Sequence, residues 1–159
     1  MIKIWLDADS CPIQVRTVII RASNREKLEC TFVANRNIPF EQSDYVKMVV
    51  VEAGDGVADD YITEHIESGH IAVTRDIPLA ARLLEKEAVV LNDRGEQFTQ
   101  NNIKERLSLR DFMYEMRFTG VVDPGNKQFS PKEVQKFANC FDRELRKLLK
   151  AQEEVNDKT

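Results

Sequence analysis

Short β-rich runs alternate with helical patterns along most of this chain. The runs cover residues 2–6, 28–34, 47–52, 71–74 and 88–91. Stretches with apolar side chains at helical spacing lie between most of them, at residues 11–24, 57–68 and 78–84. This alternation is typical of βα units and predicts an α/β fold of three layers, with a mostly parallel central sheet of about five strands. Residues 35–46 are short for a parallel crossover, so the direction of that pairing stays open.

The rest of the chain is predicted to be helical. Residues 130–133 read Ser-Pro-Lys-Glu, a capping box with proline at the first helical position. Apolar residues then recur at helical spacing as far as Leu148, so this helix must dock on the domain or on a second copy, which allows a homodimer. We expect a main domain over residues 1–120, a helical extension packed on it over 121–150, and a frayed polar tail over 151–159.

Composition excludes several classes of protein. The chain has 159 residues, of which 42% are hydrophobic, enough for one domain with a core. No apolar run approaches the ~20 residues of a membrane span, and the N-terminus opens directly into a strand pattern, so we expect a cytoplasmic protein without membrane contact. The three cysteines lack metal-type spacing. A net charge of −4 argues against tight, nonspecific binding of duplex nucleic acid.

Carboxylates follow the ends of predicted strands. Asp7 and Asp9 come after the first strand and Asp76 after the fourth, so a parallel sheet would bring them to one edge. In the intervening helix, Asp59 lies on the same face as apolar Ile62. Such a cluster is repulsive unless the acids share protons or bind a divalent cation. Oxygen ligands without His or Cys favour Mg²⁺ or Mn²⁺.

These residues resemble the motifs of two related families. Residues 59–62, Asp-Asp-Tyr-Ile, followed by Gly69 and by Val-Thr-Arg-Asp at 73–76, resemble the back half of PIN domains, and a strand ending in Asp7 resembles the first PIN acid. The similarity is closer to the uncharacterised bacterial YaiI/YqxD family, which is PIN-like. It rests on Asp-Ala-Asp-Ser-Cys-Pro at 7–12, Val-Ala-Asn-Arg at 33–36, Ala-Asp-Asp at 58–60 and Thr-Arg-Asp-Ile-Pro-Leu-Ala at 74–80, and it spans about residues 1–120.

The resemblance implies a metal-dependent phosphodiester hydrolase of ribonuclease type. Asp7, Asp59 and Asp76 would be the catalytic residues and the ligands of Mg²⁺ or Mn²⁺, with a metal-activated water as nucleophile and RNA weakly favoured over DNA. We place Asp9 and Asp60 as further ligands or as outer-shell partners. The expected substrate-binding residues are Arg75, Ser10, Arg82 and Asn35.

Two further features bear on this site. PIN nucleases usually carry another acid on an early helix, and neither Glu41 nor Asp44 is a convincing equivalent. Asp93 could join the cluster, although residues 92–95 also read as an ordinary turn. Arg106, Arg110 and Arg117 form a stripe on one predicted helix, which is a candidate nucleic-acid contact or a solvated face.

Two alternatives stay open. Asp7 and Asp9 resemble the nucleophile and general acid of haloacid-dehalogenase-type phosphatases, with Gly54-Asp55 resembling their metal motif, but Cys11 stands where those enzymes have Thr or Val. The chain could instead be a non-catalytic PIN-like module that binds RNA or a protein, its acids serving as helix caps. A nucleophilic Cys11 would need a base nearby, which the sequence does not offer.

Overall fold

The strands and helices follow the predicted alternation. The computed structural model describes residues 1–9, 11–118 and 129–157. The strands are β1 (Ile4–Asp7), β2 (Cys30–Ala34), β3 (Val46–Val50), β4 (Ile71–Val73), β5 (Val89–Leu91) and β6 (Gln97–Phe98). The helices are α1 (Ile13–Glu26), α2 (Val57–His65), α3 (Ile77–Glu85), α4 (Ile103–Phe118) and α5 (Pro131–Asp157).

The strands form one sheet in the order β3-β2-β1-β4-β5-β6. Every neighbouring pair is parallel except β5 and β6. The predicted α/β fold with a mostly parallel sheet is therefore confirmed, with the two-residue β6 added beyond the expected strands. From β1 the chain builds outward first through β2 and β3 and then through β4 and β5. The strand order thus reverses between β1 and β4, and in such sheets ligands bind in the crevice beyond the carboxyl ends of those strands.

Helices cover both faces of the sheet and give three layers. Side chains alternate along β1, so that Ile4 and Leu6 join the core on one face and Trp5 joins the core on the other. The first core also holds Val15 of α1 and Phe141 of α5. Side chains of α2, α3 and α4 fill the second core: Ile62, Leu79, Leu83 and Ile103. On that face Trp5 Nε1 donates to Nδ1 of the buried His70 at 3.1 Å, which ties β1 to the start of β4.

The connection between β2 and β3 is a parallel crossover without a helix. Residues 35–45 contain no helix or strand, yet β2 and β3 pair in parallel along their whole length. Ile38 of this segment is buried, and the Phe40 ring packs edge-on against Phe32 at 5.2 Å between centroids. Two apolar side chains of this loop thus pack on the core where a crossover helix would lie.

The start of α1 and the end of α5 differ from the prediction. α1 begins at Ile13 because Pro12 stands at its N-cap with extended backbone, φ −61° and ψ 149°. α5 continues to Asp157, past the expected end at Lys150, because residues 151–157 are mostly good helix formers such as Ala, Gln and Glu. Residues 119–128, which include the expected boundary between the main domain and the extension, and residues 158–159 of the expected tail lie outside the described residues. In the part of the chain that the structure describes, no helix is long and apolar enough to cross a membrane.

Candidate acidic site

A threonine joins the ends of the two central strands. Asp7 is the last residue of β1, and Thr74 follows β4 directly. Thr74 Oγ1 donates to Asp7 Oδ2 at 2.9 Å and accepts a hydrogen bond from the backbone N–H of Asp76 at 3.0 Å. Thr74 therefore fixes Asp7 and Asp76 relative to each other at the switch point of the sheet. The strand-end rule predicted this meeting of Asp7 and Asp76, but the threonine that links them was missed.

Asp76 is also the N-cap of α3. Its Oδ1 accepts a hydrogen bond from the backbone N–H of Leu79 at 2.8 Å, and a proline occupies the first turn of the helix. The capping interpretation and the site interpretation of Asp76 are therefore compatible. Capping uses one carboxylate oxygen and leaves the other for a ligand.

Asp59 meets this pair from the second face of the sheet. It lies in the first turn of α2 and is half-buried. Burial, and after it the negative charges of Asp76 and Asp7, raise the pKa of Asp59 to about 6. Burial also raises the pKa of Asp7, where the hydrogen bond from Thr74 acts in the opposite direction and the charges of Asp76 and Asp9 add to the rise. Asp7, Asp59 and Asp76 thus repel one another across a single edge.

The donor groups suit Mg²⁺ or Mn²⁺ in chemistry, since they are carboxylate oxygens that carry unneutralised charge. Among the described residues, however, no three His, Cys, Asp or Glu side chains converge closely enough to hold a metal ion as they stand. Closure around one ion would require the carboxylates to approach further than they do here. The structure therefore brings together the predicted ligand charges without a finished coordination shell.

Asp9 and Asp60, the two further acids expected near a metal, take different positions. Asp9 Oδ2 accepts a hydrogen bond from the backbone N–H of Asn35 at 3.1 Å, and its Oδ1 lies 3.8 Å from Nε of Arg36. Asp9 therefore ties the first strand's loop to the end of β2, and Asn35 contributes its backbone to that contact. Asp60 is exposed and pairs with Arg82 at 3.0 Å, so Arg82 is held beside α2.

Arg75 stands beside the acids and is held by Asp93. Arg75 Nε lies 2.5 Å from Asp93 Oδ2, and the Asp93 side chain is only 4% exposed while that of Arg75 is 46% exposed. Arg75 follows β4 and Asp93 follows β5, the neighbouring strand, so both lie at the same edge as Asp7 and Asp76. The strand-end rule predicted Asp93 there as a candidate member of the acidic cluster, but not its pairing with Arg75. The predicted turn is present as well, because the Asn92 side chain accepts hydrogen bonds from the backbone N–H groups of Arg94 and Glu96.

The other residues singled out in the sequence are a serine, the cysteines and the arginines of α4. Ser10 lies outside the described residues, as does the side chain of Arg117. Burial raises the pKa of the Cys11 thiol to about 12, which leaves it protonated and unreactive at neutral pH. All three cysteines are free thiols. Arg106 and Arg110 lie on α4 and line one cleft with Arg75.

The fold and this edge together define a class: a three-layer α/β domain of PIN-like type with an acidic cluster at its switch point. The chain matches the sequence profile described as "Uncharacterized BCR, YaiI/YqxD family" over residues 5–147. It therefore belongs to the YaiI/YqxD family, as its motifs predicted.

Related proteins of the family match the chain over nearly all of its length. A "UPF0178 protein" of Myxococcus xanthus is 48% identical over 150 residues, which cover 94% of this chain and 98% of that protein. One of Syntrophobacter fumaroxidans is 43% identical with the same coverage of each. One of Treponema denticola is 47% identical over 148 residues, covering 93% of this chain and 94% of that protein. No solved structure matches the chain significantly.

Proposed function

We propose that this protein is a divalent-cation-dependent phosphodiester hydrolase of PIN-like type, with Asp7, Asp59 and Asp76 as its essential acids. The observation that carries the proposal is that these three carboxylates lie at the β1–β4 switch point, near enough for their charges to interact, where sheets of this kind bind their ligands. Burial, and with it the charges of neighbouring aspartates, raises the pKa of Asp7 and of Asp59, and a bound cation would favour the charged form of both.

Each side chain would have a defined part. Asp7 and Asp76, fixed through Thr74, supply rigid oxygens, and Asp59 closes the set from α2. Arg75 is held at Nε by Asp93, which leaves its terminal nitrogens to donate to a phosphate oxygen. A bound Mg²⁺ or Mn²⁺ would neutralise charge on the phosphate and lower the pKa of an attacking water. RNA remains the weakly favoured substrate, on the family resemblance alone.

Calorimetric titration with Mn²⁺, paired with hydrolysis of bis(p-nitrophenyl) phosphate, tests the proposal. Wild type should bind Mn²⁺ and hydrolyse the diester, and Asp7→Asn and Asp59→Asn should weaken Mn²⁺ binding by about tenfold or more and abolish hydrolysis. Glu64→Gln is the matched control because it removes one negative charge from an exposed position on α2. The affinity for Mn²⁺ should rise with pH towards neutrality, since protons compete for Asp7 and Asp59.

The other outcomes separate the alternatives. Turnover of p-nitrophenyl phosphate but not of the diester would replace this proposal with the phosphatase that uses Asp7 and Asp9. Absence of both Mn²⁺ binding and turnover would refute the hydrolase. Binding of RNA without turnover, and unaffected by Asp7→Asn, would then identify a non-catalytic PIN-like module.

A further inference from the structure

A cleft of about 360 Å³ opens between the start of α3 and the outer part of α4. Its size falls within the range of small-ligand pockets, about 300–1,000 Å³. Its lining combines guanidinium groups with apolar and aromatic side chains: Arg75, Arg106, Arg110, Leu109, Met113 and Tyr114. Because Arg75 directly precedes Asp76 in the chain, this cleft adjoins the acidic edge.

On the α4 side, large side chains of the lining lie outside the protein core. Leu109 is 56% exposed and Tyr114 is 64% exposed, whereas Ile103 at the start of the same helix is 6% exposed. Within the described residues, α4 therefore packs against the domain at its start and presents large apolar side chains to solvent further along. Proteins that bind single-stranded nucleic acids combine exposed aromatic side chains, on which bases stack, with positive charges that contact the phosphates.

Arg106 and Arg110 are each held by an acidic side chain and still have guanidinium N–H groups that can donate to a ligand. Arg106 and Arg110 lie one turn apart on α4, so they share a face. Arg106 is held through Nη1 by Glu96 at 2.6 Å and lies over the Phe98 ring, 5.8 Å from its centroid. Arg110 has an exposed pair with its neighbour Asp111, also through Nη1. Each guanidinium thus uses one nitrogen within the protein and has others that can donate to phosphate oxygens.

We infer that this cleft binds a nucleotide of a single-stranded nucleic acid, adjacent to the phosphate held at the acidic edge, with Tyr114 stacking on the base and Arg106 and Arg110 contacting the flanking phosphate. The inference rests on the proposed hydrolase and names its substrate class. A single strand fits better than a duplex, because the cleft is small and the net charge of −4 offers no broad basic surface.

Fluorescence anisotropy tests the inference without any turnover. Labelled single-stranded RNA and DNA of about eight nucleotides, and the same sequences as duplexes, would be titrated in EDTA against wild type, Arg110→Gln and Tyr114→Ala. Arg146→Gln is the matched control, since Arg146 is exposed on α5, on the opposite face of the sheet. Comparing the RNA with the DNA strand shows which sugar is preferred.

The inference requires that wild type bind a single strand more tightly than a duplex. Arg110→Gln should raise Kd about tenfold and reduce the salt dependence by about one phosphate contact, and Tyr114→Ala should raise Kd at least about fivefold. Arg146→Gln should leave Kd unchanged.

Three results would overturn it: no binding of either single strand by wild type, binding of a duplex at least as tight as that of the single strands, or equal Kd for wild type, Arg110→Gln and Tyr114→Ala. These failures are independent of the diester assay. If one of these results appeared while bis(p-nitrophenyl) phosphate was hydrolysed, the proposed hydrolase would stand and the proposed nucleotide binding in the cleft would be refuted. Arg110-dependent binding without hydrolysis would support the cleft and refute the hydrolase.

Discussion

At the scale of single residues, Asp59 shows how an acidic edge opposes stability. Its pKa of about 6, against the ordinary 3.8, means that the folded state holds a proton that the unfolded chain has already released. Between these two values the folded state binds more protons, so raising the pH lowers the free energy of unfolding. Above about pH 6 the charged Asp59 lowers the free energy of unfolding by its full amount, and below about pH 4, where the carboxyl group is protonated in both states, it has no such effect.

Replacing the carboxylate should therefore stabilise the protein at neutral pH. We predict that Asp59→Asn raises the free energy of unfolding at about pH 7.5 by about 1 kcal/mol, a value reduced from the full shift because the half-buried group is partly screened by water. The gain should vanish at about pH 4, which urea denaturation at the two pH values would measure.

Asp60→Asn is the control, because it removes the same charge from the exposed neighbour that pairs with Arg82. It should change stability by less than about 0.5 kcal/mol at either pH. A loss of stability in Asp59→Asn at neutral pH would show that the Asp59 carboxylate is stabilising α2 rather than repelling its neighbours.

At the scale of single elements, the sequence patterns located most strands and helices. They were incomplete where tertiary contacts or very short length determine the structure. The period of apolar residues identified β1, β4 and α3 closely. The crossover between β2 and β3 stayed open because it depends on Ile38 and Phe40 filling the place of a helix, which no local pattern reports. β6 was missed because two residues are too few to show alternation.

The same division holds in the site. Asp7 and Asp76 could be placed together because strand ends of a parallel sheet share an edge, and helical spacing placed Asp59 toward it. The distances between carboxylates could not be predicted, since they depend on side-chain torsions and on the hydrogen bonds of Thr74. The same rule placed Asp93 at this edge, but it could not predict the ion pair with Arg75, because the order of the strands does not determine which side chains pair.

α3 allows the capping role of Asp76 to be separated from its charge. The Asp76 carboxylate accepts the hydrogen bond from Leu79 N–H that begins the helix, and an asparagine oxygen can accept the same bond. Both substitutions remove the charge that acts on Asp7 and Asp59, so the difference between them isolates the cap. We predict that the free energy of unfolding of Asp76→Ala lies about 1 kcal/mol below that of Asp76→Asn. Urea denaturation at neutral pH measures both.

The activities should not follow this order. If the proposed hydrolase is correct, both substitutions abolish diester hydrolysis, because both remove the charge. Retained hydrolysis in Asp76→Asn would reduce Asp76 to a helix cap.

At the scale of the whole molecule, α5 supports the edge of the sheet that carries the site. Arg94 pairs with Glu133 at 3.3 Å and lies over the Phe129 ring, 5.9 Å from its centroid. These contacts seat the turn after β5 against the start of α5, and Asp93, which holds Arg75, lies in that turn. Phe137 and Phe141 of α5 are fully buried, so the helix is part of the domain core.

Gly95 in this turn lies against α5 and gives a sharp test of the contact. Its φ of +78° is unfavourable for other residues, and a Cβ there would lie 2.6 Å from the backbone oxygen of Lys136 in α5. Since a helix backbone cannot yield easily, we predict that Gly95→Ala lowers the free energy of unfolding by about 2–4 kcal/mol.

Gly69→Ala is the matched control, because Gly69 has a φ of +85° but nothing within 4 Å of the added Cβ, so only about 1 kcal/mol of backbone strain should appear. Urea denaturation of the two variants would measure the difference. Equal losses in both would mean that α5 does not press on the β5–β6 turn, and the link between the C-terminal helix and the Arg75–Asp93 pair would fall with it.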